Sequence, residues 1–138
     1  NSREEALALF QSKKSFAQWH PQVLQDYVAH GLVATNDGRF TLHFTREEET
    51  AIYNTLPHNL NAMLRRHPLR CPAAFIGGLY SQEMKQVGMD MTLRITHRRT
   101  MLVDGSHLFP MEQPHMTAAA IEASLLNLQV AAAKHSKS

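Results

Sequence analysis

Among the nine histidines of this 138-residue chain, one stands where proton chemistry is commonly placed. The run Thr100-Met101-Leu102-Val103 is apolar and strand-like, breaks on Asp104-Gly105-Ser106, and delivers His107. Leu108-Phe109-Pro110-Met111-Glu112-Gln113-Pro114 follows, and a long helical pattern begins there. In open α/β sheets, functional groups collect at the carboxyl ends of strands, where loops converge. An imidazole there titrates near neutrality and can move a proton between a nucleophile and a leaving group. His107 is therefore the candidate general base. A loop histidine with a purely structural role fits the same position.

The other histidines, His20, His30, His43, His58, His67, His97, His115 and His135, are scattered and form no His-Glu-x-x-His pair. Glu112-x-x-His115 has i, i+3 spacing but is interrupted by Pro114. No metal and no other cofactor is expected. The single cysteine, Cys71, excludes an internal disulfide and a Cys-based zinc site. A formal charge of +2 is too small to argue for nucleic acid. Arg65-Arg66-His67 and His97-Arg98-Arg99 read as solvated groups near helix C-termini. No stretch reads as the ~20 apolar residues of a membrane span, and no signal peptide is visible. A reducing cytoplasm and no membrane partner are the expectation.

The elements that must position His107 read as follows. Ser2-Arg3-Glu4-Glu5 has capping-box form and opens a helix carrying Ala6, Leu7, Leu9 and Phe10. A second helix is predicted over Phe16 to His30, with Gly31 as its left-handed terminator. Asn36-Asp37-Gly38 is a turn before a short strand in Arg39 to Phe44. Thr45-Arg46-Glu47-Glu48 caps a further helix through about Leu56, closed by Pro57, and a shorter one spans Asn59 to Arg66. Pro72 to Gly78 is a buried strand. Ser81 to about Thr96 is a helix with Met84, Val87, Met91 and Ile95 on one side, weakened by Gly88. Thr100 to Val103 is a second buried strand, and a helix runs from about Pro114 to Lys134 before a fraying tail.

Two zones result. Residues 1–67 are helix-rich, and residues 68–138 run strand, helix, strand, helix, as a parallel α/β sheet does. Two strands with apolar faces do not stand alone in water. A partner chain, another copy, or a preceding amino-terminal portion is expected to complete the sheet.

The residues from Pro72 to Leu126 resemble the C-terminal end of the α/β-hydrolase superfamily. "PAAFIGG" looks like its penultimate strand. "TMLVDGSHLFPMEQP" looks like its last strand and histidine loop, with Gly105, His107, Glu112 and Pro114 matching the usual Gly-x-His, acid, proline form. Met116 to Ile121 looks like its closing helix. Residues 1–67 resemble the tail of the helical cap, or lid, inserted into that core, and "RFTLHFTREEETAIYNTL" is similar to a cap-to-core return.

The resemblance implies a hydrolase in which His107 is the catalytic base. It also demands a nucleophile on a Gly-x-Ser-x-Gly turn, which this sequence lacks. Ser106 adjoins the histidine without the strand-elbow-helix context and reads as a loop residue. The nucleophile, whether serine, cysteine or aspartate, is expected upstream, in the N-terminal half of the same hydrolase. The acid commonly follows the penultimate strand, where this chain has Tyr80; Glu83 is the nearest carboxylate. An acid after an earlier strand is the alternative, and Asp104 reads as a surface turn.

Phe10, Phe16, Trp19, Val23, Leu24 and Tyr27 form a near-helical stripe that suits core packing. By the resemblance, Phe16 and Trp19 also face the substrate from the cap. Leu108, Phe109 and Met111 would form an apolar mouth beside His107. The expected substrate is a hydrophobic ester, amide or related acyl compound, and the chain alone should be inert. The competing expectation is a non-catalytic helical interaction module whose apolar sheet edges serve assembly.

Overall fold

The structure is a computed structural model that describes residues 2–55 and 59–135, the side chains of 134 and 135 excepted. It mixes helix with two small sheets. The expected stop at Pro57 and the fraying tail lie outside the described residues. The chain forms two compact units, Asn1–His58 and Asn59–Ser138.

In the first unit, helix α1 (Arg3–Ser12) starts on a reciprocal capping box: Ser2 Oγ accepts the Glu5 N–H, and the Glu5 carboxylate accepts the Ser2 N–H. A 3₁₀ turn (Lys14–Phe16) leads to α2 (Pro21–Gly31). The helix expected from Phe16 thus begins at Pro21. Proline at the first helical position needs no N–H partner, and His20 Nδ1 accepts the Gln22 N–H as cap. Gly31 is the last helical residue and not a left-handed stop, because the chain turns directly into extended Leu32.

That extension is β1 (Leu32–Ala34), which the sequence pattern did not reveal. It pairs antiparallel with β2 (Phe40–Leu42) in the register Leu32↔Leu42 and Ala34↔Phe40. The Arg3 guanidinium lies 4.7 Å from the Phe40 ring centroid and donates to the Leu32 carbonyl, tying the hairpin to α1. Leu24, Val28 and Leu32 are buried, and Phe10, Phe16, Trp19 and Tyr27 stack beside them. Helix α3 (Arg46–Asn54) opens on the Thr45–Glu48 capping box.

The second unit contains α4 (Leu60–Arg66), β3 (Phe75–Gly78), α5 (Gln82–Val87), α6 (Asp90–Ile95), β4 (Thr100–Val103), α7 (Phe109–Glu112) and α8 (Pro114–His135). Strands β3 and β4 pair in parallel, Phe75↔Thr100 through Gly78↔Val103. The alternation of strand and helix read from residue 68 onward is present.

Three details differ from expectation. The helix over Ser81 to Thr96 is two helices, because Gly88 takes φ +78° and ends α5. Val87 consequently leaves the apolar stripe and is 87% exposed. Strand β4 is buried only at Val103, with Met101 and Leu102 exposed.

The third difference is in α8. It packs on β4 and α7 through small residues: Thr117 and Ala120 are buried, whereas Met116, Ile121, Leu125, Leu126 and Val130 face outward. By length and composition alone, Pro114–Ala133 is apolar enough to cross a bilayer, which the sequence pattern had not suggested. Its alanines raise the average without any long run of large apolar side chains.

Candidate functional site

The carboxyl ends of β3 and β4 lie side by side, and the loops leaving them are stitched together. The Leu79 N–H donates to the Val103 carbonyl, and the Tyr80 N–H donates to the Gly105 carbonyl, each at 2.9 Å. Gly78 permits this approach: a Cβ there would collide with the Ser106 carbonyl oxygen. Any larger residue would push the histidine loop away from the end of β3.

Beyond β3, the Ser81 hydroxyl is buried and caps α5 by accepting the Met84 N–H at 3.2 Å. It donates in turn to Glu83 Oε2 at 3.0 Å. The loop beyond β4 carries His107, whose Nδ1 stands 3.8 Å from that same Oε2. This is too long for a hydrogen bond and close enough for electrostatic pairing when the imidazole is protonated. The two side chains are 62% and 56% exposed. The N–H of Glu83 itself and the Ser81 hydroxyl hold the Glu83 carboxyl below its ordinary range, with a further pull from His107.

Both side chains border an open cavity of about 250 Å³. Phe75, Ile76 and the two β3 glycines form one wall, and Met84, Val87, Met89 and Thr92 of the α5–α6 segment form another. Phe109 contributes from the start of α7. Chemically, a neutral imidazole whose proton sits on Nδ1 keeps a lone pair on Nε2 with which it can accept a proton. The apolar walls suit a hydrocarbon or aryl group rather than a charged one.

His107, Glu83 and Phe109 are therefore brought together. Leu108 and Met111 are exposed and do not line this cavity. Helix α7 turns each successive residue by about 100°, so neighbours of Phe109 point elsewhere. Phe16 and Trp19 belong to the first unit, where their rings meet at 4.8 Å between centroids. Trp19 packs also on Tyr27 at 5.4 Å.

Ser106 is engaged within the loop. Its Oγ donates to Glu112 Oε1 and accepts the Leu108 N–H at 3.0 Å, while its own N–H donates to Glu112 Oε2 at 2.8 Å. Sequence reasoning missed Ser81, which links Glu83 to the strand end. Its signal was present, since serine directly before Gln82-Glu83 is an ordinary helix cap. Among the described residues, no group of three or more His, Cys, Asp or Glu side chains is arranged to hold a metal.

Comparison with protein-family models, with curated proteins and with solved structures finds no match to this chain.

Proposed function

We propose that this chain contributes the general-base histidine of an α/β-hydrolase-type site acting on a hydrophobic ester, amide or related acyl substrate. The observation that carries the reading is the meeting of His107 and Glu83 at the rim of an apolar cavity, beside the carboxyl ends of two parallel strands. In this reading the chain is the C-terminal part of such a hydrolase. The nucleophile is carried outside this sequence, by the N-terminal half of the same hydrolase; another copy of the chain could complete the sheet but not supply the nucleophile.

For a serine or cysteine nucleophile, His107 Nε2 takes its proton as the heteroatom bonds to the acyl carbon. The imidazolium then returns that proton to the departing alcohol or amine. Glu83 steadies the positive charge in between. Water repeats the cycle, releases the acid and restores the nucleophile. The apolar cavity takes the hydrocarbon part of the substrate. Without a nucleophile and oxyanion donors, the chain by itself is inert.

The test is hydrolysis of p-nitrophenyl octanoate by the chain assembled with the nucleophile-bearing polypeptide, wild type against His107→Ala. A fall in kcat of about 10³-fold or more, with KM little changed, is expected for loss of a general base. Activity within about two-fold of wild type overturns the reading.

A second reading is favoured by a different observation. Ile121, Leu125, Leu126 and Val130 on α8, with Met101 and Leu102 on β4, present large apolar side chains to solvent. Such surfaces serve assembly, and a non-catalytic interaction module would use them without needing His107.

A further inference from the structure

We propose that Glu112 is the positioning residue of the histidine loop. The inference rests on the reading of His107 as the working base, and it assigns the group that keeps that base in place. Residues Asp104 to Leu108 belong to no helix or strand, so the orientation of His107 depends on a few discrete contacts. One comes from the β3 side, where the Tyr80 N–H holds the Gly105 carbonyl. The others converge on one carboxylate.

Glu112 reaches back from the end of α7 and grips Ser106 with both oxygens, Oε2 on the backbone N–H and Oε1 on the hydroxyl. The serine passes the constraint on. Its Oγ accepts the Leu108 N–H, and its carbonyl accepts the Phe109 N–H at 3.2 Å. The residues on either side of His107 are thus fixed through one anionic group that is itself half-buried.

Two acceptors facing two donors explain why a carboxylate stands here. An amide satisfies one donor and turns its NH₂ toward the other. With its N–H and hydroxyl on Glu112 and its Oγ on the Leu108 N–H, Ser106 acts as a strut of the loop. A base displaced by about 1 Å loses on the order of 100-fold in rate, so this grip bears directly on function.

The experiment uses the chain itself, with two readouts. Amide hydrogen exchange at Ser106 and Leu108 reports the grip. Alkylation by 1-chloro-2-decanone, mapped by peptide mass spectrometry, reports how His107 is presented to the apolar cavity. An imidazole nitrogen bonds to the chloromethyl carbon as chloride leaves, and exposed His43, His67 and His97 serve as internal references.

In Glu112→Ala, exchange at both amides should rise about ten-fold or more while Gly77 and Leu79 in and beside β3 stay protected. His107 should then alkylate no faster than the reference histidines. Glu112→Gln should recover part of both effects, and Ser106→Ala should move both in the same direction by less. These two milder variants decide the matter if Glu112→Ala loosens the whole unit. Unchanged exchange at Ser106 and Leu108 in all three overturns the proposal, as does unchanged His107 preference despite faster exchange. If wild-type His107 shows no preference at all, the base reading fails, and the grip of Glu112 on the loop is still judged by exchange.

Discussion

Glu83 owes its depressed pKa to its place at the start of α5, where its own N–H and the Ser81 hydroxyl point at it. A carboxyl depressed in the fold is protonated first in the unfolded chain, so acid favours unfolding. The contribution is fully present above the ordinary value of 4.5 and is lost as pH falls through the lower folded value. Glu4, Asp37 and Glu48 are depressed in the same direction, by the Ser2 hydroxyl, the Arg39 guanidinium and the Thr45 N–H respectively. They are common to wild type and Glu83→Gln, so the difference between the two isolates Glu83. The urea midpoint of the second unit, followed at β3 amides, should be lower in Glu83→Gln at pH 7, and the gap should close toward pH 3. A gap that persists unchanged in acid would show that Glu83 gains nothing from its ionised form. At this scale the sequence was informative about identity and weak about partnership. His107 and Glu83 could be singled out from strand-end position and nearness in the chain. The role of Glu112 could not, because its grip on Ser106 depends on how tightly α7 folds back.

At the scale of elements, helix starts were the most legible feature. Both capping boxes occur where Ser2-x-x-Glu5 and Thr45-x-x-Glu48 placed them, because four adjacent residues contain the whole interaction. Strand β1 was hidden for the opposite reason. Leu32-Val33-Ala34 is three residues long, and only its pairing with Phe40 to Leu42 makes it a strand. The break between α5 and α6 is intermediate: Gly88 was visible, but a glycine within a helical pattern does not by itself dictate a stop, so its φ of +78° could not be read from it. Substitution there isolates backbone conformation from packing, since a Cβ at Gly88 meets nothing within 4 Å. Gly88→Ala should cost about 1–3 kcal/mol, the penalty of an L-residue at φ +78° and ψ 171°. A urea titration followed at β3 amides should show a lower midpoint. An equal or higher midpoint would mean that Ser81 to Thr96 has merged into one continuous helix. The opposite turn of this segment already bears such strain, with His97 at φ +50° and Arg98 at φ +62° leading into β4.

At the scale of the whole chain, the two units bury few large side chains. Among the described residues, the buried apolar side chains are Leu24, Val28 and Leu32 in the first unit and Val103 and Ala120 in the second. The amphipathic pattern that sequence reasoning relies on is inverted in α8. Its sheet-facing side is Thr117, Ala120 and Ser124, and its larger apolar residues face outward. That inversion could not be read from a run of alanines and leucines, in which every face is apolar. It has a measurable consequence. A contiguous apolar helix face binds hydrophobic dye and drives association, whereas scattered apolar residues do neither. Ile121 and Leu125 lie one turn apart on the exposed side, so lysines at both positions interrupt the face without touching the packing on β4. Lysine is also a good helix former, which keeps α8 intact. The Ile121→Lys/Leu125→Lys chain should bind anilinonaphthalene sulfonate at least about two-fold less than wild type and sediment as a smaller species at the same concentration. Circular dichroism should be unchanged. Equal dye binding and equal sedimentation in the two chains would move the apolar surface off α8, leaving Met101 and Leu102 on β4 as the exposed face that assembly uses.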